Sequence, residues 1–269
     1  MNDMRISHPQ TAYQGITPEN VFFVADDRHV QTGTGYVVRF LQEELYPERP
    51  LHLFLQIDTQ PAARALMYGA LLARADQLRA EMPDKQARLY TQVDPNQREL
   101  LQFYEKCGLK NDDGEDRYRF PLPTGRLQAP MGMQLNSVPL MDEASRDQFL
   151  YRLNQYRISP FTRDYLTFWQ QQPHFMAIGF YRNGRPVCET VITGGGDTAT
   201  LLMVYTDAQY RRQGMAQQLL ACASTYLREQ GVQSMYAHIF RRNAAQNGLM
   251  RHWGAALMGT VTALPGMDL

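Results

Sequence analysis

Arg211-Arg212-Gln213-Gly214-Met215-Ala216 sets two guanidinium groups, a glycine and an alanine immediately ahead of an apolar periodic run. The chemistry such a stretch can do is anion binding. A helix start leaves four backbone N–H groups without intrahelical partners, and the helix dipole favours negative charge there. Small residues in the first turn let a phosphate come close to those amides, and arginines at the rim can hold it. The plainer alternative is a glycine turn with two solvated arginines before a core helix. Proton transfer has candidates of its own. His238, in "SMYAHIF", lies on the strand face opposite Ala237 and Ile239, and an imidazole with a pKa of about 6.5 can move a proton at neutral pH. A histidine that is simply packed or exposed is the alternative. Glu189, in "VCETV", alternates with apolar neighbours and so faces either a cleft or solvent, while Asp207 reads as a turn residue beside the loop. The six histidines show no paired ligand spacing, so no metal site is expected.

Two segments of helical period would position these groups. "PAARALMYGALLARADQLRAEM" (61–82) puts Leu66, Met67, Leu71, Leu72, Ala75 and Leu78 on one stripe, and Met215, Leu219, Leu220, Ala223, Tyr226 and Leu227 form another, stopped at Gly231. Each follows an apolar strand run, "LHLFLQI" (51–57) or "ATLLMVY" (199–205). Each precedes a second strand, "ARLYTQV" (87–93) or "SMYAHIF" (234–240), and then a short helix, "NQRELLQFYEKCG" (96–108) or "NAAQNGLMRHWG" (243–254). Arg64 and Gly108 are 44 positions apart, and Arg211 and Gly254 are 43 apart. One strand–helix–strand–helix unit therefore occurs twice, which means duplicated domains rather than a solenoid.

"PLPTGRLQAPMG" (121–132) is rich in proline and glycine and lacks a period, so it marks the joint between domains at 1–125 and 126–269. Beyond it, 142–157 reads as a helix capped by Asp142, and 159–169 as a helix with Ser159 at the N-cap and Pro160 at N1. "HFMAIGFYRNGRPVCETVITG" (174–194) reads as a hairpin turning at Asn183-Gly184. The first half has a less clear analogue at 21–42 and lacks the two leading helices. Strands joined by crossover helices imply mixed α/β (α+β) sheets with parallel pairs.

The 269 residues suit two domains of about 130 each. The 27 basic residues balance the 27 acidic ones, which leaves no long-range field for nucleic acid. Three scattered cysteines, Cys107, Cys188 and Cys222, form no disulfide framework and point to a reducing cytoplasm. No run approaches the roughly 20 apolar residues of a membrane span, and the N-terminus lacks a signal-peptide layout.

"VYTDAQYRRQGMAQQLL" resembles motif A of the GCN5-related N-acetyltransferases (GNAT), Arg/Gln-x-x-Gly-x-Gly/Ala after the fourth strand, with Arg211, Gly214 and Ala216 in place. "NAAQNGLMRHWGAAL" resembles the family's second helix motif through Asn243, Leu249 and Gly254, with Met250 replacing its tyrosine and Ala255 its phenylalanine. The resemblance covers about 174–256 and is closest to the branch of amino-acid acyltransferases. "FYEKCGL" (103–109) echoes the same helix motif in the first half and keeps Tyr104. There Arg64 to Gly69 would be a degraded phosphate loop, with Met67 where the first glycine belongs, so the stretch reads as structural scaffold rather than as the remnant of a site.

The resemblance implies two tandem GNAT-like domains, each a splayed mixed sheet flanked by helices, the first degenerate and the second catalytic. It implies a gap between the fourth and fifth strands that takes acetyl-CoA as acyl donor, with Val204, Tyr205 and Thr206 pairing with the pantetheine. Arg211, Arg212, Gln213, Gly214, Met215 and Ala216 would cradle the pyrophosphate, and Asn243 would lie near the pantetheine. Direct acyl transfer to a small-molecule amine needs a base, for which His238 and Glu189 are the candidates, and an oxyanion donor. For a general acid in place of Met250, Tyr205, Tyr210, Tyr236 and His252 stay open. Arg157, Phe161 and Arg163 could hold the carboxylate of an amino-acid-like acceptor or form a solvated turn. The alternative function is a non-catalytic acyl-CoA-binding protein.

Overall fold

The computed structural model describes residues 4–43, 46–125, 128–154 and 161–269. They divide into two compact units, Met1–Gly114 with Thr262–Leu269, and Glu115–Val261. In the first unit, strands β1 (Arg5–Ser7), β2 (Val21–Ala25), β3 (Gln31–Leu41) and β4 (Leu51–Thr59) form antiparallel neighbours. Helix α1 (Pro61–Ala80) then crosses to β5 (Ala87–Tyr90), which lies parallel to β4, and α2 (Arg98–Lys106) follows. Alternation along β4 turns Leu53, Leu55 and Ile57 to one face. There they meet Ala63, Met67, Leu71, Ala75 and Leu78, the apolar stripe of α1.

This packing bears out the helical period read over 61–82 and sets Arg64 to Gly69 in the scaffold rather than in a phosphate loop. Only Gln60 separates β4 from α1, and Pro61 stands at N1. Arg64 to Gly69 are therefore helical, and Met67 is fully buried in the core. The methionine is there because the α1 stripe needs it. Tyr104 is likewise a core residue of this unit.

The second unit contains β6 (Gly114–Pro121), β7 (Gln134–Ser137), α3 (Glu143–Asn154), α4 (Arg163–Gln170), β8 (Met176–Arg182), β9 (Arg185–Gly195) and β10 (Thr198–Thr206). It continues with α5 (Met215–Glu229), β11 (Ser234–Phe240), α6 (Ala244–His252) and β12 (Ala256–Ala263). Its strand order is β12-β6-β11-β10-β9-β8-β7. The succession β8-β9-β10-α5-β11-α6 repeats β2-β3-β4-α1-β5-α2 of the first unit, as the paired spacings suggested. Both sheets are mixed and flanked by helices, as expected from the sequence.

The division of the chain differs from the boundary expected between 125 and 126. β6 precedes that boundary yet pairs antiparallel with β11, from Pro121↔Ser234 to Glu115↔Phe240. The last strand, β13 (Gly266–Asp268), pairs with β5 in the sheet of the first unit. A proline- and glycine-rich stretch marks a loop, and strand pairing over such separations leaves no local trace in composition.

Asp142 caps α3 as expected, its Oδ1 accepting from the Ser145 N–H at 2.8 Å. α4 begins later than expected, at Arg163 with Thr162 as N-cap; Ser159 and Pro160 lie outside the described residues. α3 and α4 cover one sheet face through Phe149, Leu150, Leu153, Leu166 and Trp169 against Ala177 and Val191, and α5 covers the other through Leu219, Leu220, Ala223 and Leu227. The β8–β9 hairpin turns at Asn183 and Gly184, both at positive φ. No helix among the described residues is long and apolar enough to cross a membrane.

Candidate functional site

β10 and β11 pair in parallel from Thr198↔Ser234 to Leu201↔Ala237 and then part, although β10 runs on to Thr206 and β11 to Phe240. The register of β10 against β9 shifts between Leu201 and Met203, then continues from Met203↔Val191 to Thr206↔Cys188. An extra residue in one strand bends it and raises its local twist, which turns β10 away from β11 at this level. Val204, Tyr205 and Thr206 lie along β10 beyond the parting. In the first unit the β4–β5 pairing also ends early, at Phe54↔Tyr90.

The β10–α5 connection follows at once. Asp207 caps a short 3-10 turn, Ala208–Tyr210, its Oδ1 accepting from the Gln209 N–H at 3.0 Å, in keeping with its expected role. Arg211 Nε donates to the Thr206 carbonyl at 3.2 Å, and Gln213 Nε2 donates to the Gln209 carbonyl at 2.9 Å. Arg212 adopts φ +62° and Gly214 φ +76°, the left-handed region that costs a residue with a side chain roughly 1–2 kcal/mol. Gly214 is the N-cap of α5 and supplies no side-chain cap; the Gln218 N–H reaches back to its carbonyl at 3.0 Å. A Cβ at Gly214 would meet nothing within 4 Å, so glycine serves the backbone angle and the space before it is open. Met215 turns inward against Phe180, Cys188 and Leu219, while Ala216 is half-buried. The start of α5 thus presents amides, a methyl group and the exposed Arg212. On the β9 side of the loop, away from the parting, a cleft of about 580 Å³ lies between Arg182, Arg185 and Pro186 of the hairpin and Asp207, Gln209 and Tyr210.

The two candidate bases have contrasting surroundings. Glu189 is 1% exposed. Its Oε2 accepts from Arg152 Nε at 3.1 Å, and its Oε1 accepts from Arg152 Nη2 at 2.9 Å and from the Tyr181 hydroxyl at 2.8 Å. Burial, and after it the charge of Glu189, pushes the Tyr181 phenol well above its ordinary pKa, so it remains a donor. A Cβ at Gly179 would sit 2.9 Å from Glu189 Cγ and 2.8 Å from the Cys188 carbonyl, so glycine makes room for this group. Both Glu189 oxygens are thereby engaged. His238 is exposed, one residue past the last position of β11 that pairs with β10, and faces Arg117 of β6 in register.

The remaining candidates are dispersed. Asn243 is the N-cap of α6, its Oδ1 accepting from the Gln246 N–H at 3.0 Å. Met250 is buried in the core with Trp253 and Leu220. Tyr205 is in register with Glu189, Tyr210 lines the cleft, Tyr236 lies under the Arg117 guanidinium, and His252 ends α6. Arg157 lies outside the described residues. Phe161 packs edge-on to Trp169 with ring centroids 4.4 Å apart. Arg163 is held by Asp147 through Nε at 2.7 Å and through Nη2, and by Glu143 at 3.5 Å, so it ties α4 to α3. Arg152, Arg117 and Arg119 were not legible as site residues. Arg152 reads as one polar position among many on a helix, and the other two precede the domain they join.

Residues 140–255 match the acetyltransferase (GNAT) family. This match supports the enzyme class expected from the sequence, an acetyltransferase with acetyl-CoA as donor. Among solved structures the chain is similar to a conserved protein of unknown function from Enterococcus faecalis V583, at 12% identity and a TM-score of 0.59, covering 98% of this chain and 72% of that one. It is similar also to a GCN5-related N-acetyltransferase from Anabaena variabilis ATCC 29413, at 12% identity and a TM-score of 0.55, covering 97% and 72%. At these identities the likeness shows the fold. No curated protein matches the chain.

Proposed function

With the family match at 140–255 as premise, we propose that the second unit transfers an acyl group, acetyl in the simplest case, from acyl-CoA to the primary amine of a small molecule such as an amino acid. One observation carries the reading: beyond the parting of β10 from β11, the chain passes through the short 207–213 connection to the open, glycine-capped start of α5. Along Val204 to Thr206, the β10 backbone suits the amides of a pantetheine chain laid like a strand. At Arg211 to Ala216, the helix amides and Arg212 suit a pyrophosphate. Asn243, at the start of α6, stands where the far side of the same chain would pass.

His238 takes the proton from the attacking amine, directly or through a water, and a β10 N–H steadies the thioester oxygen as the C–N bond forms. The C–S bond then breaks and the electron pair leaves on sulfur. A thiolate of ordinary thiol basicity can depart without the tyrosine that Met250 replaces. Glu189, with both oxygens engaged, serves by holding Arg152 and Tyr181. The second reading, a non-catalytic acyl-CoA binder, is favoured by the burial of Met250 at the position of the motif tyrosine.

Release of CoA from acetyl-CoA, followed with a thiol reagent against pooled amino acids and polyamines, separates the two readings. Turnover supports transfer; micromolar binding of acetyl-CoA with no turnover leaves the binder. Gly214→Trp projects its ring into the space before α5 and is expected to weaken acetyl-CoA binding at least about 100-fold with the fold retained. Unchanged affinity in that variant would overturn the placement of the donor.

A further inference from the structure

Among the described residues, α3 and α4 cover the sheet face that carries Glu189 and Val191 over β8, β9 and β10, where Ala177, Val191, Leu202 and Met203 meet the helices. Register extends the same face across β11 and β6. Thr200, level with Thr193 and hence with Val191 by alternation, pairs with Tyr236, and Tyr236 pairs with Arg119. His238 and Arg117 are the next pair along. The opposite face of these two strands is core, built from Met235, Ala237, Ile239 and Phe120. Beside α3 and α4 there is accordingly a strip on which Arg117, Arg119 and His238 are all exposed. It borders the place where β11 parts from β10.

The two guanidinium groups are held in place without being neutralised. Arg117 lies over the Tyr236 ring, 4.1 Å from its centroid, and Arg119 Nε donates to Ser234 Oγ at 3.2 Å. Among the described residues neither has a carboxylate within ion-pair distance. Glu115, two positions along the same face, faces Phe240 and pairs with neither. Across the parting, the buried Glu189 charge is already matched by Arg152. The surplus charge on this face is therefore positive, fixed by stacking and hydrogen bonding, and adjacent to His238.

We propose that the amine acceptor carries an anionic group, a carboxylate or a phosphate, which Arg117 and Arg119 hold while the amine is directed to His238. This rests on the transfer reading above and names the acceptor class for it. The two arginines are specificity residues and take no part in bond making.

The test compares matched probes on CoA-loaded protein by saturation-transfer NMR: amino acids against their amides, and O-phosphoethanolamine against ethanolamine. The anionic member of at least one pair should bind about tenfold or more tightly than its neutral counterpart, and the pair that responds tells carboxylate from phosphate. The variant R117Q/R119Q should erase that difference while CoA affinity stays within about twofold. Equal binding within every pair, no binding of any probe, or equal weakening of both members in the variant would each overturn the proposal. Should CoA itself fail to bind, that failure belongs to the donor reading. The same comparison on the CoA-free protein then decides this one.

Discussion

A carboxylate at 1% exposure is stable only with its charge matched, and at Glu189 the match comes from one side chain, Arg152. Breaking a buried pair from one side strands the other charge, whereas neutralising both sides removes most of the penalty. Arg152→Met is expected to lower stability by about 3 kcal/mol, and Arg152→Met with Glu189→Gln to recover most of that loss. Urea midpoints of the two variants measure this, and a double variant no better than the single would show the ion pair to be incidental. The same residue explains a limit of sequence reading. Glu189 between apolar neighbours reads as facing a cleft or solvent, and the structure gives a third outcome, a buried charge held by a helix 37 positions earlier in the chain.

At the scale of elements, β6, β11 and β12 are fastened by Asp116. Its oxygens accept from Arg241 Nε at 2.8 Å, Arg241 Nη2 at 2.9 Å and Thr260 Oγ1 at 2.9 Å. Burial acts to raise the Asp116 pKa, but the hydrogen bonds from Arg241 and Thr260, with the charge of Arg241, outweigh it and hold the carboxyl below its ordinary range. A folded-state pKa below the unfolded one means stability that is complete above the ordinary carboxylate value and lost as pH falls through the lower one. Asp116→Asn should therefore be about 2 kcal/mol less stable than the native protein at pH 7. The gap should hold to about pH 5 and close below about pH 4. A gap unchanged down to pH 3, read from denaturant midpoints, would contradict this origin.

At the scale of the whole molecule, each sheet contains a strand that the linear order of the repeats would give to the other half. Residues 262–269 contribute β13 to the first sheet, with bonds from the Thr91 N–H to the Pro265 carbonyl, both ways between Val93 and Ala263, and both ways between Lys110 and Gly266. Met267 and Leu269 pack against the same core. A chain ending at Val261 should show amide exchange in β4 and β5 faster by roughly tenfold or more, with exchange in β8 to β10 little changed. Unchanged protection in β5 would mean that the closing strand adds nothing to the first unit.

The local code was legible in the sequence. The apolar periods located α1, α5 and the strands before and after them, and the Asn183-Gly184 turn gave the hairpin, because period and turn chemistry depend on a residue and its near neighbours. Tertiary structure alone decided which strands share a sheet, that Arg163 is bound to Asp147 and Glu143, and that Glu189 is buried against Arg152. It also brought Arg117 beside His238, 121 positions apart in the chain. These are contacts between distant segments, set by sheet register and by which face each helix covers, and the residue types carry no local mark of either.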